Sequence, residues 1–235
     1  MDMMKKTLAE NLPGLGLELP DAIQDQLCAF GHAMVKQNEV MNLTGITEDD
    51  QVAKLHLIDS LTVLKCADLK DKTLIDVGCG AGFPGVPTAI GCPEAKVTLL
   101  DSLAKRMNWL ETVLPQLGVA NAECVTARAE EAVATRRESY DYATSRAVAR
   151  LNILLELTAP YVKIGGAVLA LKGAMAREEL EEAKSAISKL GLQVESVKDF
   201  TVDKDTVHTV IVLRKVRPTP AKFPRRYAKI KQAPL

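Results

Sequence analysis

Up to about residue 69, apolar positions recur every three or four residues; from residue 73 onward they come instead in short β-rich runs. Ile23, Leu27, Phe30 and Met34 follow Pro20 and Asp21, and their spacing places them on one face of a helix. A second helix is predicted from about Glu48 to Leu64, with Val52, Leu55, Ile58 and Leu61 turned inward. Between the two, Asn42-Leu43-Thr44-Gly45-Ile46-Thr47 reads as a turn that ends in a helix cap. Strands are predicted at Thr73 to Val77, Lys96 to Asp101, Ala122 to Thr126, Tyr140 to Ser145, Ala167 to Leu171, Gln193 to Phe200 and Thr206 to Leu213. Helices fall between most of them, at Leu103 to Leu117, Arg146 to Pro160 and Arg177 to Leu190. Such alternation builds an α/β fold, a mostly parallel sheet with helices on both faces. The last two strands lack a helix between them and are expected to pair as an antiparallel C-terminal hairpin across Asp203-Lys204-Asp205. The expected organisation is an N-terminal helical extension (1–70), an α/β domain (71–216) and a C-terminal tail (217–235).

Composition adds limits. With 235 residues, 47% of them hydrophobic, the chain can bury a substantial core. No apolar run approaches the roughly 20 residues of a membrane span, and Asp2, Lys5, Lys6 and Glu10 interrupt the start, so neither membrane nor secretory signal is expected. The five cysteines are widely spaced and form no CxxC pair, which argues against a zinc site or disulfide framework and for a reducing, cytoplasmic setting. No metal and a monomeric state are expected.

Formal charge sums to zero but is segregated. Residues 206–235 hold eight bases, Arg214, Lys215, Arg217, Lys222, Arg225, Arg226, Lys229 and Lys231, and no acid, which leaves 30 − 8 = 22 bases against 30 acids before them. A basic tail on a near-neutral body suits a polyanion; its plainer reading is a solvated, disordered end. Pro218, Pro220, Pro224 and Pro234 favour a stiff, extended segment, with Phe223 and Tyr227 as anchors or base-stacking rings.

The strongest motif, Asp76-Val77-Gly78-Cys79-Gly80-Ala81-Gly82-Phe83-Pro84-Gly85, directly follows the first predicted strand. Glycines at 78, 80 and 82 let the backbone turn tightly and approach a ligand. A dinucleotide fingerprint would need glycine where Phe83 stands, so an adenosyl cofactor without a pyrophosphate fits better. Asp76 would repel a phosphate but suits the ammonium of S-adenosyl-L-methionine. Asp101, 23 residues beyond Gly78, suits ribose hydroxyls or a helix cap. Glu130, in Ala127-Arg128-Ala129-Glu130, suits the adenine amino group or a helix dipole.

Thr144-Ser145-Arg146-Ala147 ends the fourth strand, where the transferred methyl should point. It contains neither the Asp/Asn-Pro-Pro-aromatic signature of exocyclic-amine methylation nor a nucleophilic cysteine. A ring nitrogen such as guanine N7 needs neither a base nor a covalent intermediate, so alignment and exclusion of water would suffice. Arg146, taken to open a helix against its dipole, reads as a cofactor or substrate contact or as a surface salt bridge. Lys172, at the end of the fifth strand, reads as a base or phosphate contact or as a solvated lysine. Lys105 and Arg106 are further phosphate candidates, and Trp109 belongs to the core margin beside Leu103, Met107, Leu110, Leu114 and Leu117. His56 and Asp59, one turn apart, read as a polar pair or as helix packing, with no third metal ligand.

Together these segments resemble the RsmG (GidB) family of bacterial small-subunit ribosomal RNA guanine-N7 methyltransferases over nearly the whole chain. The matching residues are Met41 to Thr44, His56, Asp59-Ser60, Asp76 to Gly85, Leu100 to Leu103 with Lys105-Arg106, Ser145 to Ala147, Leu171 to Gly173, and Phe223 to Arg226 with Pro234-Leu235. The resemblance implies a Rossmann-like class I S-adenosylmethionine-dependent methyltransferase fold and methyl transfer to a guanine N7 in the 530-loop region of 16S ribosomal RNA. It implies cofactor contacts at Gly78, Phe83, Ala129, Glu130 and Arg146, to which residue chemistry adds Asp76, Gly80, Gly82 and Asp101. Arg146 and Lys172 are the candidate catalytic residues; Lys105, Arg106, Lys172, Lys222, Arg225 and Arg226 are the candidate contacts to RNA or the small subunit. The competing readings are a small-molecule methyltransferase and a non-catalytic adenosyl- or dinucleotide-binding module.

Overall fold

The computed structural model describes residues 2–203 and 206–235. Helix α1 (Met3–Asn11) starts at Asp2, whose carboxylate accepts the Met4 N–H at 3.0 Å. Helix α2 (Asp21–Met41) carries the predicted stripe and ends at Asn42, whose left-handed backbone (φ 48°) turns the chain. Helix α3 (Asp49–Val52) runs into a π-helical segment, Ala53–Ile58, then α4 (Asp59–Leu61). This wider winding alters the expected inner face: Leu57 is wholly buried with Val52, Ile58 and Leu61, whereas Leu55 is only half-buried. No side chain caps α3, so the cap expected from the turn is not made. Thr44 holds that turn instead, its amide donating to Asn38 Oδ1 at 2.8 Å and its hydroxyl accepting the Ile46 N–H at 3.1 Å.

Strands and helices then alternate: β1 (Thr73–Val77), α5 (Gly85–Gly91), β2 (Lys96–Asp101), α6 (Ala104–Gln116), β3 (Ala122–Thr126), α7 (Ala129–Arg136), β4 (Tyr140–Arg146) and α8 (Leu151–Thr158). There follow β5 (Val162–Lys172), α9 (Ala176–Glu182), α10 (Lys184–Lys189), β6 (Leu192–Asp203), β7 (Thr206–Lys215) and α11 (Tyr227–Gln232). The strands form one seven-stranded sheet in the order β3-β2-β1-β4-β5-β7-β6, with β7 antiparallel to both β5 and β6. The expected fold is therefore present; the turn foreseen between the last two strands falls partly outside the described residues. Strand order reverses between β1 and β4, and the crevice beyond the carboxyl ends of these strands is where such sheets hold ligands.

Alternating side chains feed two cores. Leu74, Leu99 and Leu169 face one shared with α1, α2, α5 and α6, while Ile75, Leu100 and Ala170 face the other, shared with α8, α10 and the C-terminal segment. Among the described helices none is long and apolar enough to cross a membrane.

Three expectations change. Arg146 does not open a helix: it ends β4, and α8 begins at Leu151, so it opposes no helix dipole. Leu103 leaves the predicted stripe, being half exposed just before α6, whereas Met107, Leu110 and Leu114 are buried as expected. The C-terminal segment is not an extended tail. It folds back through buried Phe223 and forms α11, whose Ile230 is wholly buried in the second core.

Nor are all the bases of the last thirty residues uncompensated. Arg214 pairs with Glu195 at 2.5 Å, wholly buried Lys215 pairs with Glu138 at 3.3 Å, and Arg225 clasps Glu156 through Nε at 2.8 Å and Nη2 at 2.6 Å. Acids distant in sequence neutralise them, which counting along the chain does not see. Lys222, Arg226, Lys229 and Lys231 remain exposed.

Candidate active site

A cleft of about 500 Å³ opens at the carboxyl ends of β1, β2 and β4. Its floor is the glycine loop. Gly78 (φ +76°) lines it, and a Cβ there would stand 2.5 Å from Val148 Cγ2. Gly82 (φ +94°) lies behind, where a Cβ would meet Val86 at 2.7 Å and Leu110 at 3.0 Å. Both positions thus require glycine for conformation and for space. Gly80, Phe83, Ala129 and Glu130 line the cleft with Gly78.

Asp101 also lines it. One oxygen accepts the Gly80 N–H at 3.0 Å and the other the Leu103 N–H at 2.9 Å, so the same carboxylate steadies the loop and the start of α6. Each oxygen keeps a second lone pair for a ribose hydroxyl. Glu130 accepts the Tyr227 N–H at 3.3 Å and faces the same space from the first turn of α7.

Asp76 does not reach the cleft. It is wholly buried beneath the loop, where Oδ2 accepts the Gly85 N–H at 2.7 Å and Oδ1 has no hydrogen-bond partner. Burial pushes its carboxyl up to about 7, against the opposing Gly85 hydrogen bond and the Arg146 charge. The direct contact to a cofactor ammonium expected of Asp76 is absent from this geometry; it holds the loop from below.

Arg146 closes the cleft at the end of β4. Its Nη1 donates to Asp59 Oδ2 at 2.8 Å and to the Leu55 carbonyl at 2.9 Å, within the π-helical segment. Its Nη2 lies 3.3 Å from His56 Nδ1, and the guanidinium sits 5.1 Å from the Phe83 ring centroid. The His56 ring stacks on Phe83 at 4.9 Å. A guanidinium only donates, so Nδ1 accepts and the His56 proton sits on Nε2, directed to Thr44 Oγ1 at 2.9 Å. Burial, then the Arg146 charge, lowers the His56 pKa to about 4, which keeps the ring neutral. Asp59, nearly inaccessible, also pairs with His208 Nδ1 at 2.5 Å. Burial alone would raise its pKa; the His208 hydrogen bond and the Arg146 charge outweigh burial and hold it below the ordinary carboxylate value. The sequence-level pair His56 and Asp59 is thus brought together through Arg146.

A second cavity, about 600 Å³, lies on the far side of Arg146 and is lined by Asp59, Lys172, Glu179 and His208. His56, Arg146, Ala147 and Val148 line both cavities. Lys172 is buried, not solvated: Nζ donates to the Ala149 carbonyl at 2.6 Å and pairs with Glu179 at 2.8 Å. It anchors the loop between β4 and α8. Burial lowers its pKa despite the Glu179 contact. Arg106 lines the first cleft, while Lys105 is exposed and lines neither cavity. Trp109 packs on Phe30 at 6.3 Å, at the core margin as expected.

His208 and Glu179 escaped the sequence reading, as did the place of Leu43 and Thr44 on the wall of the first cleft. Thr44 had a visible signal, a polar residue in a distinctive turn beside His56. His208 reaches Asp59 across 149 positions, and periodicity carries no trace of that.

The cradle that a Cβ at Gly78 would fill, the ribose-ready Asp101 and the Phe83 ring lining the cleft where a dinucleotide fingerprint would carry glycine fit an adenosyl cofactor better than a dinucleotide. With this sheet order they define a class I S-adenosylmethionine-dependent methyltransferase. Solved structures agree on the fold: an Aquifex aeolicus SAM-dependent methyltransferase superposes with TM-score 0.54 at 19% identity, over 69% of this chain and 92% of its own. M. jannaschii TYW2 in complex with AdoMet gives 0.56 at 14% identity, over 68% and 76%.

The family described as rRNA small subunit methyltransferase G (GidB) matches residues 23–208. The ribosomal RNA small subunit methyltransferase G of Alkaliphilus metalliredigens is 42% identical over 94% of this chain and 95% of its own. That of Acetivibrio thermocellus is 42% identical over 99% and 97%. The chain belongs to the rRNA small subunit methyltransferase G family. It is therefore an S-adenosylmethionine-dependent enzyme, and the reading as a non-catalytic module is set aside.

Proposed function

We propose that this protein transfers a methyl group from S-adenosylmethionine to N7 of a guanine in the 530-loop region of 16S ribosomal RNA, with the base received in the second cavity. The observation that carries this is the shared wall: His56, Arg146, Ala147 and Val148 line both the cofactor cleft and the cavity beyond it. The names of the relatives support a substrate in small-subunit ribosomal RNA over a small molecule.

S-adenosylmethionine supplies an electrophilic methyl on a sulfonium. Gly78, Gly80, Asp101, Ala129 and Glu130, which line the cleft, would hold its adenosyl part, and Phe83 and Arg146 would flank the reactive end. Among the described residues, none of the carboxylates lining the acceptor side is a free base. Asp59 is engaged by Arg146 and His208, Glu179 accepts from Lys172 and from the Leu151 N–H at 2.7 Å, and Asp76 is sealed under the loop. His56 has both ring nitrogens engaged. Such a site suits an acceptor whose lone pair is already available, as at guanine N7. Arg146 then acts by position, offering donors to the base, and Lys172 acts by fixing Ala149 and hence the wall loop. Exposed Lys105, Lys222 and Arg226, with half-buried Arg106, supply bases for the RNA backbone; Arg225 serves by docking the C-terminal segment on Glu156.

Incubation with small-subunit particles and labelled cofactor, followed by mass-spectrometric mapping, tests the reading. Label on N7 of a 530-loop guanine is expected. Label on an exocyclic amine, on a ring carbon or only on small molecules refutes it.

A further inference from the structure

The wall of the cofactor cleft facing Ala129 and Glu130 is not made by the α/β domain alone: Tyr227, at the start of α11, lines it too. Several contacts fix that residue in place. Wholly buried Glu156 accepts from the Arg225 backbone N–H at 2.9 Å as well as from its guanidinium. Arg137 donates to the carbonyls of Thr219 and Phe223. Phe223 and Ile230 on either side are anchored in the second core. Tyr227 is thus held from both flanks, and its own N–H is taken by Glu130 Oε1.

We infer that the C-terminal segment is part of the cofactor site, with Tyr227 covering the adenine and Glu130 shared between the Tyr227 backbone and the adenine amino group. This rests on the adenosyl reading of the cleft. The cleft keeps about 500 Å³ with Tyr227 in place, within the range of small-ligand sites, so the residue is a wall and not a plug. An aromatic ring offers adenine a stacking face, and the second oxygen of Glu130 accepts from the amino group. The segment that sequence charge assigns to RNA therefore has a cofactor role that its charge does not reveal.

Calorimetry on the full chain with S-adenosylhomocysteine as probe tests this. Tyr227→Ala is expected to weaken binding about 10-fold, the size of a single base-to-aromatic stack. Tyr227→Phe, which keeps the ring, should stay within about twofold of wild type, as should Gln232→Ala on the same helix. Free adenosine should lose the same factor on Tyr227→Ala, since the contact is to the base. In the unaltered chain, amide exchange across residues 223–232 should slow when the probe is added, a readout independent of how any variant folds. If Asp101→Ala weakens the probe while Tyr227→Ala does not, or if exchange is unmoved, the inference fails and the cofactor site stands. If both variants bind as wild type does, the adenosyl reading fails as well.

Discussion

Asp59→Asn separates position from charge at the centre of this site. In the native protein the Asp59 carboxylate accepts from Arg146 at 2.8 Å and from His208 at 2.5 Å, with 2% of its surface exposed. Asparagine keeps the shape: its oxygen can still face Arg146, and its amide can donate to His208 Nδ1 once that ring changes tautomer. What is lost is the charge assistance of two hydrogen bonds, about 1 kcal/mol each, the difference between charged and neutral pairs. If this positions Arg146 for methyl transfer, kcat should fall about 30-fold for a loss of about 2 kcal/mol. Affinity for S-adenosylhomocysteine should change little, because Asp59 lines only the acceptor cavity. Asp59→Ala removes the acceptor altogether, leaves Arg146 without its counter-charge and should cost about 3 to 5 kcal/mol of folding stability. Single-turnover methylation, calorimetry and urea melts on both variants provide the comparison. Wild-type kcat in Asp59→Asn, or a cofactor affinity that falls as far as kcat, would refute the positioning role.

The remaining predictions concern pH, the docked C-terminus and RNA. His56 falls from its ordinary 6.5 to about 4, so its contribution is present above pH 6.5 and lost as pH falls through 4, about 3 kcal/mol in all. Asp76 rises from 3.8 to about 7, so its contribution is present below pH 3.8 and lost as pH rises through 7, about 4 kcal/mol. The two oppose each other between pH 4 and 7: urea melts should show Asp76→Asn gaining stability with rising pH and His56→Gln losing it, and parallel profiles would contradict both assignments. Arg225→Ala leaves wholly buried Glu156 without its cation and should cost about 3 to 5 kcal/mol, with new proteolytic cleavage after residue 216; an unchanged melt would count against docking. Replacing Lys222 and Arg226 by Ala should lower the salt slope of RNA binding by about 1 to 2 and leave cofactor affinity intact, and an unaltered slope would remove them from the RNA track.

Strand and loop positions were legible because local rules control them: β-rich runs between turn residues gave β1, β2 and β3 to the residue, and the glycine spacing marked the ligand crevice. Arg146 was misplaced onto a helix for a physical reason. Residues 146–150 favour helix locally, but Ala147 takes a left-handed backbone (φ 56°), Lys172 holds the Ala149 carbonyl, and Glu179 accepts the Leu151 N–H that starts α8. The helix start is thus set by partners from β5 and α9, more than twenty positions away. The same holds for Arg214, Lys215 and Arg225 among the bases of the last thirty residues, whose acids Glu195, Glu138 and Glu156 arrive only through folding. The π-helical winding that aims the Leu55 carbonyl at Arg146 has no composition signal either.

The site's charges form one connected requirement. A sulfonium in the first cleft would bring a positive charge close to Arg146, and attack by a neutral ring nitrogen carries that charge across the shared wall onto the base. The wall already holds one cation, so a second, from His56, would oppose both binding and transfer. Burial on Phe83 and the nearby guanidinium keep His56 neutral, while His208 and Arg146 keep Asp59 ionised beside the path. Both shifts are downward, and because one group is a base and the other an acid they give the migrating charge a fixed anion and no competing imidazolium. The stability lost through His56 and that gained through Asp76 nearly cancel between pH 7 and 4, so the first acid-sensitive step should be catalysis and not unfolding: kcat should fall as His56 begins to charge, at a pH where the urea midpoint is still near its neutral value. His56→Gln, which cannot charge, should keep its kcat over that range, and a kcat profile with the same acid limb as the native enzyme would show that His56 is not the group responsible.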